Sequence, residues 1–129
     1  MEELINLNKF YLTARKHAND PHHMGSLDPF NGHAKVTGPC GDTMEFWVNV
    51  QNGKIANISF ITDGCGPSIA SGSMTTCLAE GKTPEDAKSI VQQDVLDALE
   101  GLPEGHQHCA LLAAKTLAAA CDDYFAKQK

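Results

Sequence analysis

Three cysteines in separate parts of the chain have the neighbours expected of a metal site. They stand in the strings Gly38-Pro39-Cys40-Gly41-Asp42, Asp63-Gly64-Cys65-Gly66-Pro67 and His106-Gln107-His108-Cys109. Asp42 follows Cys40 by two residues, and His108 directly precedes Cys109. Thiolates are soft ligands that favour zinc, cuprous copper or iron–sulfur clusters, whereas a carboxylate binds such centres less tightly. The mixed set therefore predicts a labile metal centre.

The composition limits the class of protein. The chain has 129 residues, of which 42% are hydrophobic and 20% are charged, and a chain of this size buries roughly two-thirds of its unfolded surface. We therefore expect a single compact domain over residues 1–129 that needs no disulfide. The odd number of cysteines, five, and an acidic start without the features of a signal peptide favour a reducing, cytoplasmic location.

Charge and hydropathy argue against two kinds of partner. The formal net charge is −6, which disfavours nucleic acid as the main partner because nucleic-acid binding depends on cationic side chains. No apolar run approaches the ~20 residues needed to span a bilayer. Protein partners fit this composition better.

The apolar patterns predict an α+β fold, in which a three-stranded antiparallel sheet packs against a layer of helices. The predicted strands cover residues 33–37, 43–50 and 55–62, and the predicted helices cover residues 4–18, a stretch from Gly66, a short stretch from Thr83-Pro84, residues 94–100 and about 107–126. The apolar stripe of the first helix consists of Leu4, Leu7, Tyr11 and Leu12. That of the second consists of Ala70, Met74, Cys77 and Leu78.

The second and third strands should form a hairpin at Asn52-Gly53. A two-residue loop would set Val48 against Asn57, which mixes apolar and polar faces. A three-residue loop over residues 51–53 instead pairs apolar positions: Val48 with Ala56, Phe46 with Ile58 and Met44 with Phe60. The same register places Asp42 opposite Thr62 and Cys40 opposite Gly64, next to Cys65.

Two of the cysteines are predicted at helix N-termini. Gly66-Pro67 opens a helix directly after Cys65, since proline is favoured at the first helical position, and Cys109 falls in the first turn of the last helix. The amide groups and the dipole of a helix N-terminus favour negative charge. Two converging N-termini would therefore suit a cluster held by three thiolates.

The chain resembles the IscU/NifU-type iron–sulfur cluster assembly scaffolds over residues 4–125. The matching strings include Asp20-Pro21-His22-His23-Met24-Gly25, Cys40-Gly41-Asp42-Thr43-Met44, Gly64-Cys65-Gly66-Pro67-Ser68-Ile69-Ala70-Ser71, Glu80-Gly81-Lys82-Thr83 and His108-Cys109. The resemblance implies that the cluster ligands are drawn from Cys40, Asp42, Cys65, His108 and Cys109. It also implies the same sheet-and-helix fold, and Cys109 as the acceptor of persulfide sulfur.

By the same resemblance the chain is a scaffold and not an enzyme. A cysteine desulfurase would supply sulfur, a ferredoxin would supply electrons, and a [2Fe–2S] cluster would pass to acceptor apoproteins, with zinc as an occupant of the cluster-free form. The string Leu102-Pro103-Glu104-Gly105-His106 departs from the family's Leu-Pro-Pro-Val-Lys. This departure weighs against recognition by the family's dedicated Hsp70-type chaperone.

The residues alone leave alternatives open. A zinc enzyme would use Asp42 or His108 as a general base, and a thiol carrier would need a resolving cysteine, for which the sequence offers no Cys-x-x-Cys pair. Asp42 has the alternative of a hydrogen bond within its own turn, and His108 that of a helix cap. Core packing is expected for Cys77 and Cys121. The remaining histidines are expected to be solvated: His17, His22, His23, His33 and His106.

Overall fold

The computed structural model describes residues 12–39 and 41–128. Its elements are α1 (Leu12–Asn19), β1 (Gly32–Thr37), β2 (Thr43–Gln51), β3 (Lys54–Thr62), α2 (Gly66–Ala79), α3 (Pro84–Lys88), α4 (Gln92–Leu99) and α5 (His108–Lys127). The strands form one antiparallel sheet in the order β1-β2-β3. Helix α5 packs on β1 and β2, and α2 packs on β3 and α5. The predicted α+β fold is therefore confirmed, with each strand and each helix from α2 onward within two residues of its predicted bounds.

Alternating side chains on the strands form the sheet side of the core. Met44, Phe46, Val48 and Phe60 are completely buried, as expected for the residues of one face of a strand with a period of two. Trp47 lies on the opposite face but is also buried, because the sheet's outer side is partly covered: its ring lies 5.3 Å from that of His33. The helices close the core from the other side of the sheet.

The hairpin between β2 and β3 does not have the predicted register. Asn52 and Gly53 form a two-residue turn, with φ of 56° and 79° and with Gln51 opposite Lys54. These positive φ values are typical of the type I′ turn that joins twisted antiparallel strands. The predicted three-residue loop is therefore wrong.

A β-bulge reconciles this short turn with apolar pairing. Val50 faces Ile55, but the next pair is Asn49 with Asn57, so Ala56 is an extra residue in β3. Beyond the bulge the observed pairs are Val48 with Ile58, Phe46 with Phe60 and Met44 with Thr62.

The predicted pairs, including Asp42 opposite Thr62, are therefore displaced by two residues. Ile55 is fully buried while Ala56, predicted to face the core, is exposed. The bulge accounts for this exchange, because it moves Ala56 out of the alternation.

The outer edge of β3 is covered by backbone from two loops. The N–H of Gly25 donates to the carbonyl of Phe60, and the N–H of Phe60 donates to the carbonyl of His23. Nearer the turn, Ile55 donates to Lys82 and accepts from Gly81. Unpaired strand edges are templates for pairing with other chains. These contacts remove that exposure and also hold the loop after α1 against the sheet.

Helix α2 is buried on nearly all sides, and its buried residues are small. They include Ser68, Ala70, Ser71, Gly72, Ser73, Thr75, Thr76 and Ala79. Buried hydroxyls of this helix donate hydrogen bonds to backbone carbonyls one turn earlier. Ser71 donates to the carbonyl of Pro67, and Thr75 donates to that of Ser71. Of the predicted stripe, Ala70 is in the core and Met74 and Leu78 pack against it.

The two non-motif cysteines differ from each other. Cys77 is only half-buried and lies outside the core cluster, so the prediction of core packing is wrong for it. Cys121 is fully buried, as predicted, and burial raises the pKa of its thiol to about 12.

Helix α1 contacts the core through alanines. Ala14 is buried and Ala18 packs against the core, whereas Leu12, predicted on the apolar stripe, is 46% exposed. Leu4, Leu7 and Tyr11 lie outside the described residues. Small side chains allow α1 to approach α2 closely, and Ala18 lies in contact distance of the position where a Cβ on Gly66 would be. Over residues 12–39 and 41–128, no helix has the length and apolarity required to span a bilayer.

Gly72 is a sensitive packing position. A Cβ at this residue would lie 2.3 Å from Cε2 and 2.4 Å from Cδ2 of the buried Phe60 ring. We expect Gly72→Ala to lower the free energy of unfolding by about 1–3 kcal/mol through overpacking, although alanine is the better helix former. Urea denaturation measures this change. Gly66→Ala, whose Cβ meets only Ala18 at 3.7 Å, is the matched control, and equal stability of the Gly72 variant would contradict the prediction.

Candidate metal centre

Three segments meet at one end of the sheet: the loop before β2, the start of α2 and the first turn of α5. One ligand atom each of Asp42, His108 and Cys109 lies within 4.8 Å of the others. His108 Nε2 is 3.8 Å from Cys109 Sγ. The fold therefore brings the oxygen of Asp42 together with the nitrogen and the sulfur of the adjacent pair His108-Cys109, which is distant from it in sequence.

Ser68 lies between the carboxylate and the thiol. Its Oγ is 3.3 Å from Asp42 Oδ2 and 3.4 Å from Cys109 Sγ, and the residue is fully buried. A hydroxyl has a single hydrogen, so Ser68 can donate to one of these acceptors at a time. This residue orients both ligands. Sequence reasoning missed it, although its position three residues after Cys65, on the same face of the helix, was a usable signal.

Gly64 permits this close packing. A Cβ at Gly64 would lie 2.3 Å from Ser68 Oγ and 3.1 Å from Asp42 Oδ2. No side chain fits there without displacing the serine that orients the site. The glycine before Cys65 is therefore required by the approach of Asp42 to α2.

Backbone hydrogen bonds hold Asp42 from both sides. The N–H of Gly38 donates to the carbonyl of Asp42 over 2.8 Å, and Gly41 has a φ of 93°, a conformation that glycine adopts without strain. On the other side, the N–H of Thr43 donates to Asp63 Oδ1 and its carbonyl accepts from Thr62 Oγ1. The loop is therefore fastened to the end of β3. The Asp42 carboxylate accepts a hydrogen bond from Ser68 of α2.

Cys65 lies beside the group but is not part of it. It is the residue that precedes α2, its side chain is exposed, and its carbonyl accepts from the N–H of Ile69. Cys40 lies outside the described residues. The structure thus brings together Asp42, His108 and Cys109 out of the five predicted site residues and places Cys65 one helical turn from Ser68.

Burial differs strongly among the site residues. Cys109 is 1% exposed, Asp42 is half-buried and His108 is exposed. The centre is therefore open to solvent on the His108 side, where the ring of His106 stacks 6.3 Å away. This pattern is typical of a site that is built into the fold and reached from one direction.

The other histidines are less solvated than predicted. His22 is exposed, but His17, His23, His33 and His106 are half-buried. His33 hydrogen-bonds the carboxylate of Glu45, and His23 Nδ1 lies 2.9 Å from Thr76 Oγ1. Most of them have partners in the fold.

Comparison with known proteins identifies the family. Residues 13–129 match the family described as the NifU-like N terminal domain. The chain belongs to the IscU/NifU scaffold family. The resemblance seen in the three cysteine strings is thereby confirmed.

Its relatives share most of its length. It is 41% identical over 112 residues to iron-sulfur cluster assembly scaffold protein IscU 1 of Archaeoglobus fulgidus. The aligned region covers 86% of this chain and 73% of that protein. It is 40% identical over 117 residues to iron-sulfur cluster assembly scaffold protein IscU of Haemophilus influenzae, and this aligned region covers 87% of this chain and 92% of the relative. The crystal structure of a NifU-like protein (N-terminal) from Brucella abortus has the same fold, with a TM-score of 0.76, 15% identity and coverage of 94% and 98% of the two chains.

Proposed function

We propose that this IscU/NifU-family chain is a scaffold on which a [2Fe–2S] cluster is assembled and from which it is transferred to acceptor apoproteins. The cluster is the cargo of this protein and not a resident cofactor. The observation that carries the proposal is the meeting of Asp42, His108 and Cys109 within 4.8 Å. Membership of a family whose relatives are named as iron–sulfur scaffolds supports it. We further propose that residues 1–129 act as one domain.

The proposed ligands are Cys40, Cys65 and Cys109 together with Asp42 and His108. Thiolates are the usual protein ligands of iron–sulfur clusters. Cys65 at the start of α2 and Cys109 in the first turn of α5 are near helix N-termini, whose partial positive charge favours an anionic cluster. In the cluster-free form, the same mixed donors suit a zinc ion.

Sulfur enters as a persulfide delivered by a cysteine desulfurase. The thiolate of Cys109 attacks the terminal sulfur of the desulfurase persulfide, so a sulfur–sulfur bond forms on Cys109 and the desulfurase leaves as a thiolate. The 1% exposure of Cys109 means that the first turn of α5 must open for this encounter. The persulfide sulfur must then be reduced to sulfide, and an electron donor of the ferredoxin class supplies those electrons.

The loop before α5 bears on the chaperone. Leu102 is 4% exposed, and the loop is folded on itself through the N–H of His106, which donates to the carbonyl of Pro103. A peptide-binding chaperone needs an accessible segment. Glu104 and Gly105 in the middle of the loop are exposed, so the sequence departure alone supports transfer without the dedicated chaperone, and we propose the cytoplasm as the compartment.

Anaerobic reconstitution tests the function. The protein is incubated with ferrous iron, cysteine and a cysteine desulfurase, and its visible spectrum is recorded after gel filtration. We expect broad sulfide-to-iron charge-transfer absorption that depends on the desulfurase, and its loss in a variant carrying Cys65→Ser and Cys109→Ser. A colourless zinc protein with hydrolase turnover would instead indicate a zinc enzyme. Reversible disulfide formation without cluster would indicate a thiol carrier.

A further inference from the structure

A second group of metal-competent side chains lies near the C-terminal end of α2. One ring nitrogen of His17, one ring nitrogen of His22 and Sγ of Cys77 lie within 4.8 Å of one another. They come from α1, from the loop that follows it and from α2. We propose that these three residues bind a divalent ion of the zinc type, at a site separate from the cluster centre.

The α2 face that carries Cys77 is built to hold this loop. Ser73, Thr76, Cys77 and Glu80 follow the i, i+3, i+4, i+7 spacing of one helix face. Ser73 Oγ lies 2.7 Å from His17 Nδ1 and accepts from the backbone N–H of His22 over 2.8 Å. A single buried hydroxyl thus fixes both histidines beside Cys77.

His23 is held away from the group. Its Nδ1 lies 2.9 Å from Thr76 Oγ1 and its Nε2 lies 3.3 Å from Glu80 Oε2. Its backbone has a φ of 61°, so the two consecutive histidines project in different directions. The ring of His22 lies instead 5.1 Å from that of His17. The arrangement assigns His22, and not His23, to the proposed ion.

Two imidazoles and one thiolate are a donor set for zinc. Ligand atoms around tetrahedral zinc lie roughly 3.3–3.8 Å apart, as the Zn–N and Zn–S bond lengths require. Separations within 4.8 Å therefore need only small side-chain movements to close. Binding would release the thiol proton of Cys77 to solvent.

The two histidines of the proposed site border an open surface cavity. A surface cavity of about 610 Å³ is lined by His17 and His22 together with Asp20 and Lys16. Water from this cavity can therefore complete the coordination. Because Cys77 follows Cys65, the residue that precedes α2, by twelve positions, the two centres are separated by about 18 Å along the helix axis.

Cobalt titration tests the proposal without any cluster. A variant with Cys40→Ser, Cys65→Ser and Cys109→Ser retains Cys77 and Cys121 as its thiols. Under anaerobic conditions we expect this variant to bind Co²⁺ with thiolate-to-cobalt charge transfer in the near-ultraviolet, displaceable by Zn²⁺. Adding Cys77→Ser should abolish the band, and His17→Gln or His22→Gln should weaken binding by about tenfold or more.

The matched controls are Cys121→Ser and His106→Gln, which should leave the band unchanged. A band that survives Cys77→Ser, or its absence in the folded triple variant, would overturn the proposal. If circular dichroism shows the triple variant to be unfolded, the test is instead the zinc content of single variants made in the wild-type protein. Cys77→Ser must then retain less zinc after gel filtration than both the wild type and Cys121→Ser, and equal zinc content would overturn the site.

Discussion

Cys109→Ser should abolish cluster retention while leaving the fold intact. The hydroxyl is a poor ligand for iron–sulfur centres, and even indirect changes around a metal commonly cost about 10–100-fold in affinity. Cys109 also contacts both Ser68 and His108, so its loss removes the sulfur that these two side chains face. Absorption after anaerobic reconstitution and gel filtration measures the retained cluster.

Cys121→Ser is the matched control, because both cysteines lie on α5 and both are buried. Both variants bury a hydroxyl in place of a thiol. A difference in retained cluster between them therefore measures the contribution of Cys109 as a ligand. Peptide mass mapping of the wild type after desulfurase turnover should place the added sulfur on Cys109. Unchanged cluster yield in Cys109→Ser would remove this residue from the site, and added sulfur on Cys77 or Cys121 would refute the acceptor assignment.

Asp42→Ala should lengthen the lifetime of the bound cluster and slow its transfer, by about tenfold in each rate. A carboxylate exchanges more readily at a soft metal centre than a thiolate does. Without it, His108, whose Nε2 lies 3.8 Å from Cys109 Sγ, can close the coordination. The hydroxyl of Ser68 then donates to Cys109 alone.

Bleaching of the visible absorption, with and without an apo-ferredoxin acceptor, measures both rates side by side in variant and wild type. Asp63→Ala is the control, since Asp63 fastens the same loop through the N–H of Thr43 but lies outside the ligand group. Faster cluster loss in Asp42→Ala than in wild type would make Asp42 an ordinary ligand whose removal only weakens binding.

The strands and most helices could be predicted because their apolar periods and start signals are local. The register of β2 and β3 could not, since the extra residue of the bulge is Ala56, a small residue that fits either face. Apolar residues do pair with apolar residues across the two strands. The sequence pattern, however, is equally compatible with a longer loop and with a two-residue turn followed by a bulge. Only the three-dimensional packing decides between them.

Only part of the candidate site could be predicted, for a related reason. Asp42, His108 and Cys109 were found from their neighbours in sequence, whereas Ser68 has no chemistry that distinguishes it from the other hydroxyls of α2. The apolar spacing of α2 predicts Cys77 in the core. Such a prediction is valid only when the opposite face of the helix is polar. Helix α2 is buried by small residues on nearly all sides, so the period carried no information about where Cys77 lies.

The tip of the hairpin lies at the opposite end of the sheet from the metal centre. Asp42 and Gly64 lie at the end of the hairpin away from Asn52-Gly53, beyond the pair Met44 with Thr62. The whole paired length of β2 and β3, from Gln51 with Lys54 to Met44 with Thr62, separates the turn from the metal centre. The exposed turn is therefore the place to attach a fluorophore or an affinity peptide for following partner binding without disturbing the ligands.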